Sequence, residues 1–226
     1  MCITRIRFST RFWRGLVMVA ALGGMTISAL ALPDSPLSLN AQLLSAAREN
    51  DLSQVARMLD QGAVVNSRNR LGKTALLLAC EKGNAEMVAV LMKAGADINL
   101  ASVELVTPLM AASYGGSAAI VNQLIAAGAR LQSVDRMNKP AAIYAAGQGH
   151  ALALGALIDA GIDVNATYDH RLTLLMWAAG QGHADTVRLL LARGANIELR
   201  DDRGLTAFDI ARAAGFEAAT RSAGLR

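Results

Sequence analysis

Hydrophobic residues after about residue 40 recur in short segments with helical spacing, and glycines separate the segments. In the segment 86–93, Met87 and Leu91 are four positions apart, and Val88 and Met92 repeat that spacing. Such i, i+4 pairs lie on one side of a helix. Shorter runs of Leu and Ala follow several threonines and form a narrow apolar face. The pattern predicts pairs of helices, a short first helix and then a second, with a glycine turn between them.

The segments repeat with a period of 33 residues. Four threonines fall on this lattice, with Pro140 in the remaining slot: Thr74, Thr107, Thr173 and Thr206. Two glycine series share the period, Gly83, Gly116, Gly149, Gly182 and Gly215, and Gly62, Gly95, Gly128, Gly161 and Gly194. Each threonine can cap the start of a first helix, and each glycine of the second series can end a second helix in the left-handed conformation. A period of this length indicates a stack of helical repeats.

The residues between these marks resemble the ankyrin repeat, with its T-P-L-H-x-A-A-x-x-G-H and L-L-x-x-G-A-x-x-N stretches. Residues 107–112 read Thr-Pro-Leu-Met-Ala-Ala, and residues 190–196 read Leu-Leu-Ala-Arg-Gly-Ala-Asn. Gly149-His150 and Gly182-His183 match the end of the first stretch. The resemblance implies an all-α ankyrin-repeat solenoid, in which helix pairs stack and β-turn loops project between them. It also implies that His150 and His183 make structural hydrogen bonds.

The lattice places one domain over residues 40–226 and divides it into six repeats. Repeat 1 is partial, and repeat 6 closes the stack as a capping repeat. The predicted bounds are 40–66 for repeat 1, 67–99 for repeat 2, 100–132 for repeat 3, 133–165 for repeat 4, 166–198 for repeat 5 and 199–226 for repeat 6.

The first 31 residues have the three parts of a secretory signal peptide. Residues 1–14 are basic and free of acidic residues, residues 15–30 are apolar, and Ala29-Leu30-Ala31 supplies small residues before a cleavage site. We expect cleavage after Ala31, with residues 32–39 as a linker, and hence an exported, periplasmic protein. The alternative is an uncleaved inner-membrane anchor, because residues 15–32 carry no charge. Export would leave Cys80 as the one cysteine of the mature chain, which we interpret as a small core residue.

Charge argues against a nucleic-acid partner. The net charge is +4, but residues 1–31 contribute four arginines and no acidic residue, so the remainder has 22 − 4 = 18 basic groups against 18 acidic groups. A chain without a basic surplus gains little from displacing counterions on a phosphate backbone. We see no run of Lys or Arg that predicts a local basic patch.

The motifs that could carry chemistry are incomplete. Gly72-Lys73-Thr74 lacks the first glycine of a phosphate-binding loop, since Ser67 stands there, and the two Gly-x-Gly-His segments do not complete a dinucleotide loop. His170, beside Asp169 and Arg171, is the one histidine off the lattice, but no G-x-S-x-G nucleophile motif accompanies it. We expect no catalytic residue, cofactor, metal ion or small-molecule substrate, and we keep a hydrolase using His170 and Asp169 as the weaker alternative.

The resemblance implies that loop tips and the exposed sides of the first helices form a long concave binding surface. Leu105 and Arg171 stand where the turn of the family has a glycine. Two interpretations remain open: an exposed mixed apolar patch that binds a partner, or relaxed tips that fold over their own apolar residues. The predicted partner-binding residues are Val103, Glu104, Val106, Tyr114, Met137, Lys139, Asp169, His170 and Leu172.

The predicted function is that of a monomeric protein–protein interaction module that stabilises, inhibits or assembles a partner protein, as an accessory or immunity-type factor. The alternative from the N-terminal segment is a membrane-tethered adaptor.

Overall fold

The computed structural model describes residues 36–225, which form helices joined by tight turns. One short 3-10 turn, Asp169–Arg171, lies among them. In chain order the α-helices are α1 (Pro36–Glu49), α2 (Leu52–Asp60), α3 (Ala75–Lys82), α4 (Ala85–Lys93), α5 (Pro108–Tyr114), α6 (Ala118–Ala126), α7 (Ala141–Gly147), α8 (Ala151–Asp159), α9 (Leu174–Gly180), α10 (Ala184–Ala192), α11 (Ala207–Ala213) and α12 (Glu217–Ser222).

The helices stack in two layers. The first helices, α1, α3, α5, α7, α9 and α11, each contact the next first helix along the chain, and the second helices do the same. The prediction of an all-α repeat solenoid is confirmed. Helix α1 begins at Pro36, so residues 36–39, which we assigned to the linker, belong to a helix instead. Proline suits the first turn of a helix, because the backbone N–H that it lacks has no intrahelical partner there.

Lattice threonines begin the first helices as predicted. The hydroxyl of Thr74 accepts a hydrogen bond from the backbone N–H of Leu77 at 3.2 Å, and Thr107, Thr173 and Thr206 cap their helices in the same way. Pro140 precedes α7 without a side-chain cap. These caps fix where each first helix starts and hence where the preceding loop projects.

The core runs between the two layers along the whole stack. Cys80 is fully buried in it, and burial raises the pKa of its thiol. The interpretation of Cys80 as a small core residue is confirmed. Gly95 lies just after α4 with φ +85°, the left-handed conformation predicted for the end of a second helix.

Within residues 36–225, no helix combines the length and the apolar character that a membrane span requires. The predicted signal peptide, residues 1–31, lies outside the described residues.

Candidate protein-binding face

Within residues 36–225, five loop tips project from the stack, each formed by the five residues before a lattice position. They comprise residues 69–73, 102–106, 135–139, 168–172 and 201–205, and we call them tips 2 to 6 after their repeats. We call the tips and the exposed sides of the first helices the groove face.

A polar side chain at the first position holds four of the tips in shape. The carboxylate of Asp135 accepts backbone N–H bonds from Met137 at 2.9 Å and from Lys139 at 2.8 Å. Asn69 and Asp201 make the same pair of bonds in tips 2 and 6, and Ser102 makes one of them in tip 3. Short polar side chains stabilise such turns by replacing a backbone acceptor. Tyr168 occupies this position in tip 5, and there the chain forms the 3-10 turn.

The fourth residue of every tip is left-handed, whether or not it is glycine. Gly72 and Gly204 have φ +71° and +81°, and Leu105, Asn138 and Arg171 have φ between +57° and +61°. His170, next to Arg171, also has positive φ, at +58°. The absence of glycine at Leu105 and Arg171 therefore does not relax the turn. Left-handed backbone is unfavourable for residues with a Cβ, so the three central tips are strained.

Neighbouring tips are joined by hydrogen bonds across the repeats. Backbone bonds run from Val103 N to the Leu71 carbonyl at 2.9 Å, from Arg136 N to the Glu104 carbonyl at 3.2 Å, and from Asp202 N to the His170 carbonyl at 3.1 Å. Between tips 4 and 5 the link is made by side chains, from Asn138 Nδ2 to Asp169 Oδ1 at 2.7 Å.

All nine residues predicted to bind a partner lie on the groove face. Apolar Val103 is 46% exposed and Met137 is 65% exposed, as is Tyr114 at 55% at the end of α5. Tips that fold over their own apolar side chains are therefore not what the structure shows. Glu104, Asp169 and His170 are also exposed, whereas Val106, Lys139 and Leu172 are half-buried. Their role in binding stays a prediction.

Three aromatic side chains follow one another along the first helices of repeats 3 to 5. The rings of Tyr114 and Tyr144 meet edge to face, with centroids 5.9 Å apart. Trp177 follows on α9, and the Lys139 ammonium lies 5.0 Å from the centre of its ring. Tyr144 and Trp177 are not among the residues predicted from the sequence to bind a partner, which on the first helices included only Tyr114, the seventh residue after its lattice position. The fourth position, where both aromatics stand, also borders this face.

An apolar pocket of 430 Å³ opens beside this aromatic row. It exists because Ala111 occupies the lattice position that Leu78, Tyr144 and Trp177 fill in other repeats. Its remaining lining is Glu81, Val106, Met110, Tyr114, Gly115 and Tyr144. Glu81 is paired with Lys73 at 2.6 Å, so the one carboxylate at the rim is partly neutralised.

A hydrogen bond to Asp135 fixes the orientation of Tyr144. Burial raises the pKa of the Tyr144 hydroxyl, and the bond that it donates to the Asp135 carboxylate raises the pKa further. Tyr144 is therefore protonated at neutral pH and keeps donating to Asp135. Because Asp135 also holds tip 4, the pocket wall and the tip are coupled.

His150 and His183 have the structural role that the resemblance implied. The Nε2 of His150 donates to the Tyr114 carbonyl at 2.9 Å, and the Nε2 of His183 donates to the Gly147 carbonyl at 3.0 Å. Each histidine thus joins its own repeat to the end of the first helix of the preceding repeat. Within the part of the chain that the structure describes, no group of three or more His, Cys, Asp or Glu side chains is placed to hold a metal ion.

His170 and Asp169, the two residues of the hydrolase alternative, bond to different neighbouring tips. The Nδ1 of His170 lies 2.8 Å from Oδ2 of Asp202 in tip 6, while Asp169 turns to Asn138 in tip 4. Both bonds join adjacent repeats, which explains why the two sequence neighbours point in opposite directions. The His170 side chain is 76% exposed.

Comparison with known proteins gives matches at the level of the repeats. A family model described as Ankyrin repeats (3 copies) matches residues 43–138, 109–201 and 142–220. The mitochondrial disaggregases of Bos taurus and Homo sapiens are each 41% identical to this chain over 71 residues, which cover 30% of this chain and 10% of the relative. That of Rattus norvegicus is 37% identical over 67 residues, or 28% and 10% of the two chains. The chain thus aligns with about a tenth of the length of these curated relatives.

Proposed function

The chain belongs to the ankyrin-repeat family, and from this premise we propose that it is a protein–protein interaction module whose groove face binds a partner protein. The observation that carries the proposal is the apolar pocket at Ala111, walled by Tyr114 and Tyr144 and continued by exposed apolar tips. Aromatic side chains and filled pockets dominate the energetics of protein interfaces. An apolar side chain of the partner would fill the pocket as an anchor.

The place of action that we propose is the cell envelope. Residues 1–31 combine a basic start, an apolar stretch and an Ala-x-Ala site, which supports export to the periplasm. There the chain would stabilise, inhibit or assemble a partner as a non-catalytic accessory or immunity-type factor. N-terminal sequencing of the mature protein tests export: a first residue Leu32 supports it, whereas full-length chain in washed membranes would instead support the tethered adaptor.

The similarity to mitochondrial disaggregases supports a shared repeat module. It covers about a tenth of those proteins, and therefore supports no disaggregase activity for this chain.

Filling the pocket tests the binding proposal. Ala111→Met should place a side chain where the partner's anchor would sit, and the larger residues at Leu78 and Tyr144 show that the fold accepts bulk at this lattice position. The tagged protein is used to capture envelope proteins, which are identified by mass spectrometry. We expect the main captured protein to fall at least about tenfold with Ala111→Met, since a lost interface anchor costs about 2 kcal/mol.

The matched control is Leu152→Ala, which removes the apolar side chain that is 81% exposed on α8, a second helix. This variant should capture the partner normally. Equal capture by wild type and Ala111→Met would overturn the proposed use of the pocket, and the absence of any protein specific to the wild type would overturn the binding function.

A further inference from the structure

A second cleft lies on the groove face at its N-terminal end. It has a volume of 590 Å³ and lies between the exposed side of α1 and the loop that carries tip 2. Three arginines line it, Arg48 from α1 and Arg68 and Arg70 from the loop. The sequence predicts no basic patch here, because Arg48 is distant in the sequence from the other two arginines. Stacking of repeat 1 on repeat 2 brings them together.

The positive charge of this arginine cleft is not neutralised within the described part of the chain. No acidic side chain there lies within ion-pair distance of Arg48, Arg68 or Arg70. Ser45, which also lines the cleft, donates a hydrogen bond to Glu49 at 2.8 Å, and Glu81 is paired with Lys73. Among the described residues, those that line the cleft include three arginines and no acidic side chain.

One arginine of the cleft is held in place. Arg68 donates from Nε to the Gly72 carbonyl at 2.9 Å and from Nη2 to the Ala101 carbonyl in the next repeat. Arg48 and Arg70 are exposed at the rim. Leu44 and Leu78 supply an apolar floor, and the buried Ser67 hydroxyl lines the cleft without a hydrogen-bond partner among the described residues.

We propose that the arginine cleft binds an acidic segment of the protein that occupies the groove face. The guanidinium groups match carboxylates in charge and in their forked geometry, and the apolar floor would receive the stems of Glu side chains. The inference rests on the proposed function, because the cleft continues the same face on which the Ala111 pocket lies. Nucleic acid fits less well, since none of the lining residues is aromatic and residues 32–226 carry equal numbers of basic and acidic groups.

A defined peptide tests the proposal on the purified protein. Fluorescein-labelled hexaglutamate is titrated with protein at low salt and followed by fluorescence anisotropy, with labelled hexaglutamine as the uncharged probe. We expect hexaglutamate to bind and hexaglutamine not to bind. Added salt should weaken the binding of hexaglutamate, because the arginine–glutamate ion pairs would be exposed to solvent. Arg48→Ala/Arg70→Ala should weaken binding by about tenfold, since charge-assisted bonds to arginine are the stronger kind. Arg68 is left unchanged because it also joins two repeats.

The matched control removes the same charge from the same two repeats on the other layer of helices. Arg57 lies on α2 and Lys93 on α4, and both are exposed. Arg57→Ala/Lys93→Ala should bind hexaglutamate like the wild type. Arg48→Lys/Arg70→Lys keeps the positive charge but loses the forked geometry of the guanidinium groups, so this variant should bind hexaglutamate with intermediate affinity.

Several results would overturn the proposal. These are equal binding of hexaglutamine, unchanged binding by Arg48→Ala/Arg70→Ala, displacement of the peptide by an equal concentration of inorganic phosphate, or tighter binding of oligothymidylate of the same charge. The Ala111→Met variant should bind hexaglutamate normally. If Ala111→Met loses partner capture and the wild type does not bind hexaglutamate, only the cleft inference fails. If it captures the partner normally while hexaglutamate binds, the pocket proposal fails instead.

Discussion

At the scale of single residues, the clearest signal of function is backbone strain. The end tips place Gly72 and Gly204 at the left-handed position, whereas the central tips place Leu105, Asn138 and Arg171 there. A left-handed residue with a Cβ costs about 1–2 kcal/mol relative to the ordinary conformation, with Asn less affected. Strain of this kind persists where the surrounding structure fixes it, and it concentrates at binding sites. Strain in the central tips therefore coincides with the proposed interface.

Leu105→Gly should make the fold more stable, by up to about 1.5 kcal/mol. Relief of the left-handed strain gains about 1–2 kcal/mol, and the greater freedom of glycine in the unfolded chain offsets about 0.5–1 kcal/mol of it. Urea unfolding measures the change. Leu71→Gly is the control, because Leu71 is 62% exposed in tip 2 but outside the left-handed region. It should lower the stability, and a similar loss for Leu105→Gly would contradict the strain argument.

The lowered pKa of Asp201 predicts that the stability of the fold depends on pH. Burial raises the pKa of its carboxyl, but hydrogen bonds from the Leu205 backbone and the Arg203 side chain outweigh burial, so the pKa is lowered overall. A lowered pKa in the folded state means that the stabilisation is present above the unfolded value of about 3.9 and is lost as pH falls through the folded value. Asp201→Asn keeps the two backbone bonds, as Asn69 shows in tip 2.

Asp201→Asn should therefore destabilise the protein at pH 7 and make progressively less difference as the pH is lowered below about 4. Urea unfolding of both proteins across this range measures the effect. An equal difference at pH 7 and at pH 3 would show that the charge of Asp201 does not stabilise the turn.

At the scale of helices, glycine and an aromatic ring lock neighbouring repeats together. The ring of His150 lies against Gly116, and a Cβ built there would be 2.4 Å from the His150 Nδ1. His183 contacts Gly149 in the same way, and Phe216 contacts Gly182. Gly116, Gly149 and Gly182 thus each serve both the turn after a first helix and the close approach of a ring from the next repeat, whereas Gly83 and Gly215 have open space around them.

Gly116→Ala should therefore destabilise the stack more than Gly95→Ala. Gly95 has open space around it, so its substitution carries only the left-handed penalty of about 1 kcal/mol. At Gly116 the ring of His150 must also move and lose its bond to the Tyr114 carbonyl, for about 2 kcal/mol in all. Urea unfolding measures both. In a His150→Ala background the two penalties should become equal, and an unchanged gap would place the cause elsewhere.

Much of the helical architecture could be predicted from the sequence, because the 33-residue lattice fixes the helix pairs, their caps and the exposed tips. The sequence could not predict that Tyr144 and Trp177 border the groove face. The equivalent residue in repeat 2, Leu78, is buried, and the exposure of this position depends on how particular neighbours pack. The arginine cleft could not be predicted either, because Arg48 and the loop of tip 2 line one cleft only when repeat 1 stacks on repeat 2. The left-handed Leu105 contradicts the glycine rule, since the Ser102 hydroxyl and the backbone bonds within and between the tips hold the turn.

At the scale of the whole stack, the groove face joins two chemically different parts. The arginine cleft lies at repeats 1 and 2, and the aromatic row with the Ala111 pocket lies at repeats 3 to 5. In a stack each repeat contacts only its neighbours, so residues of the groove face can be changed with little effect on distant repeats. Binding and folding are therefore separable by mutation where the side chains are exposed.

The combined variant Val103→Ala/Tyr114→Ala/Met137→Ala should abolish capture of the main partner while circular dichroism and melting stay close to wild type. These side chains are about half exposed or more, and surface changes usually cost within about 0.5 kcal/mol each. The carbonyl of Tyr114 that bonds His150 remains. Leu172 is left in place because it packs on the core, so its loss would mix folding with binding. Val64→Ala/Leu152→Ala removes exposed apolar side chains outside the groove face and should capture normally. Normal capture by the combined variant would show that the central tips and Tyr114 are not the interface.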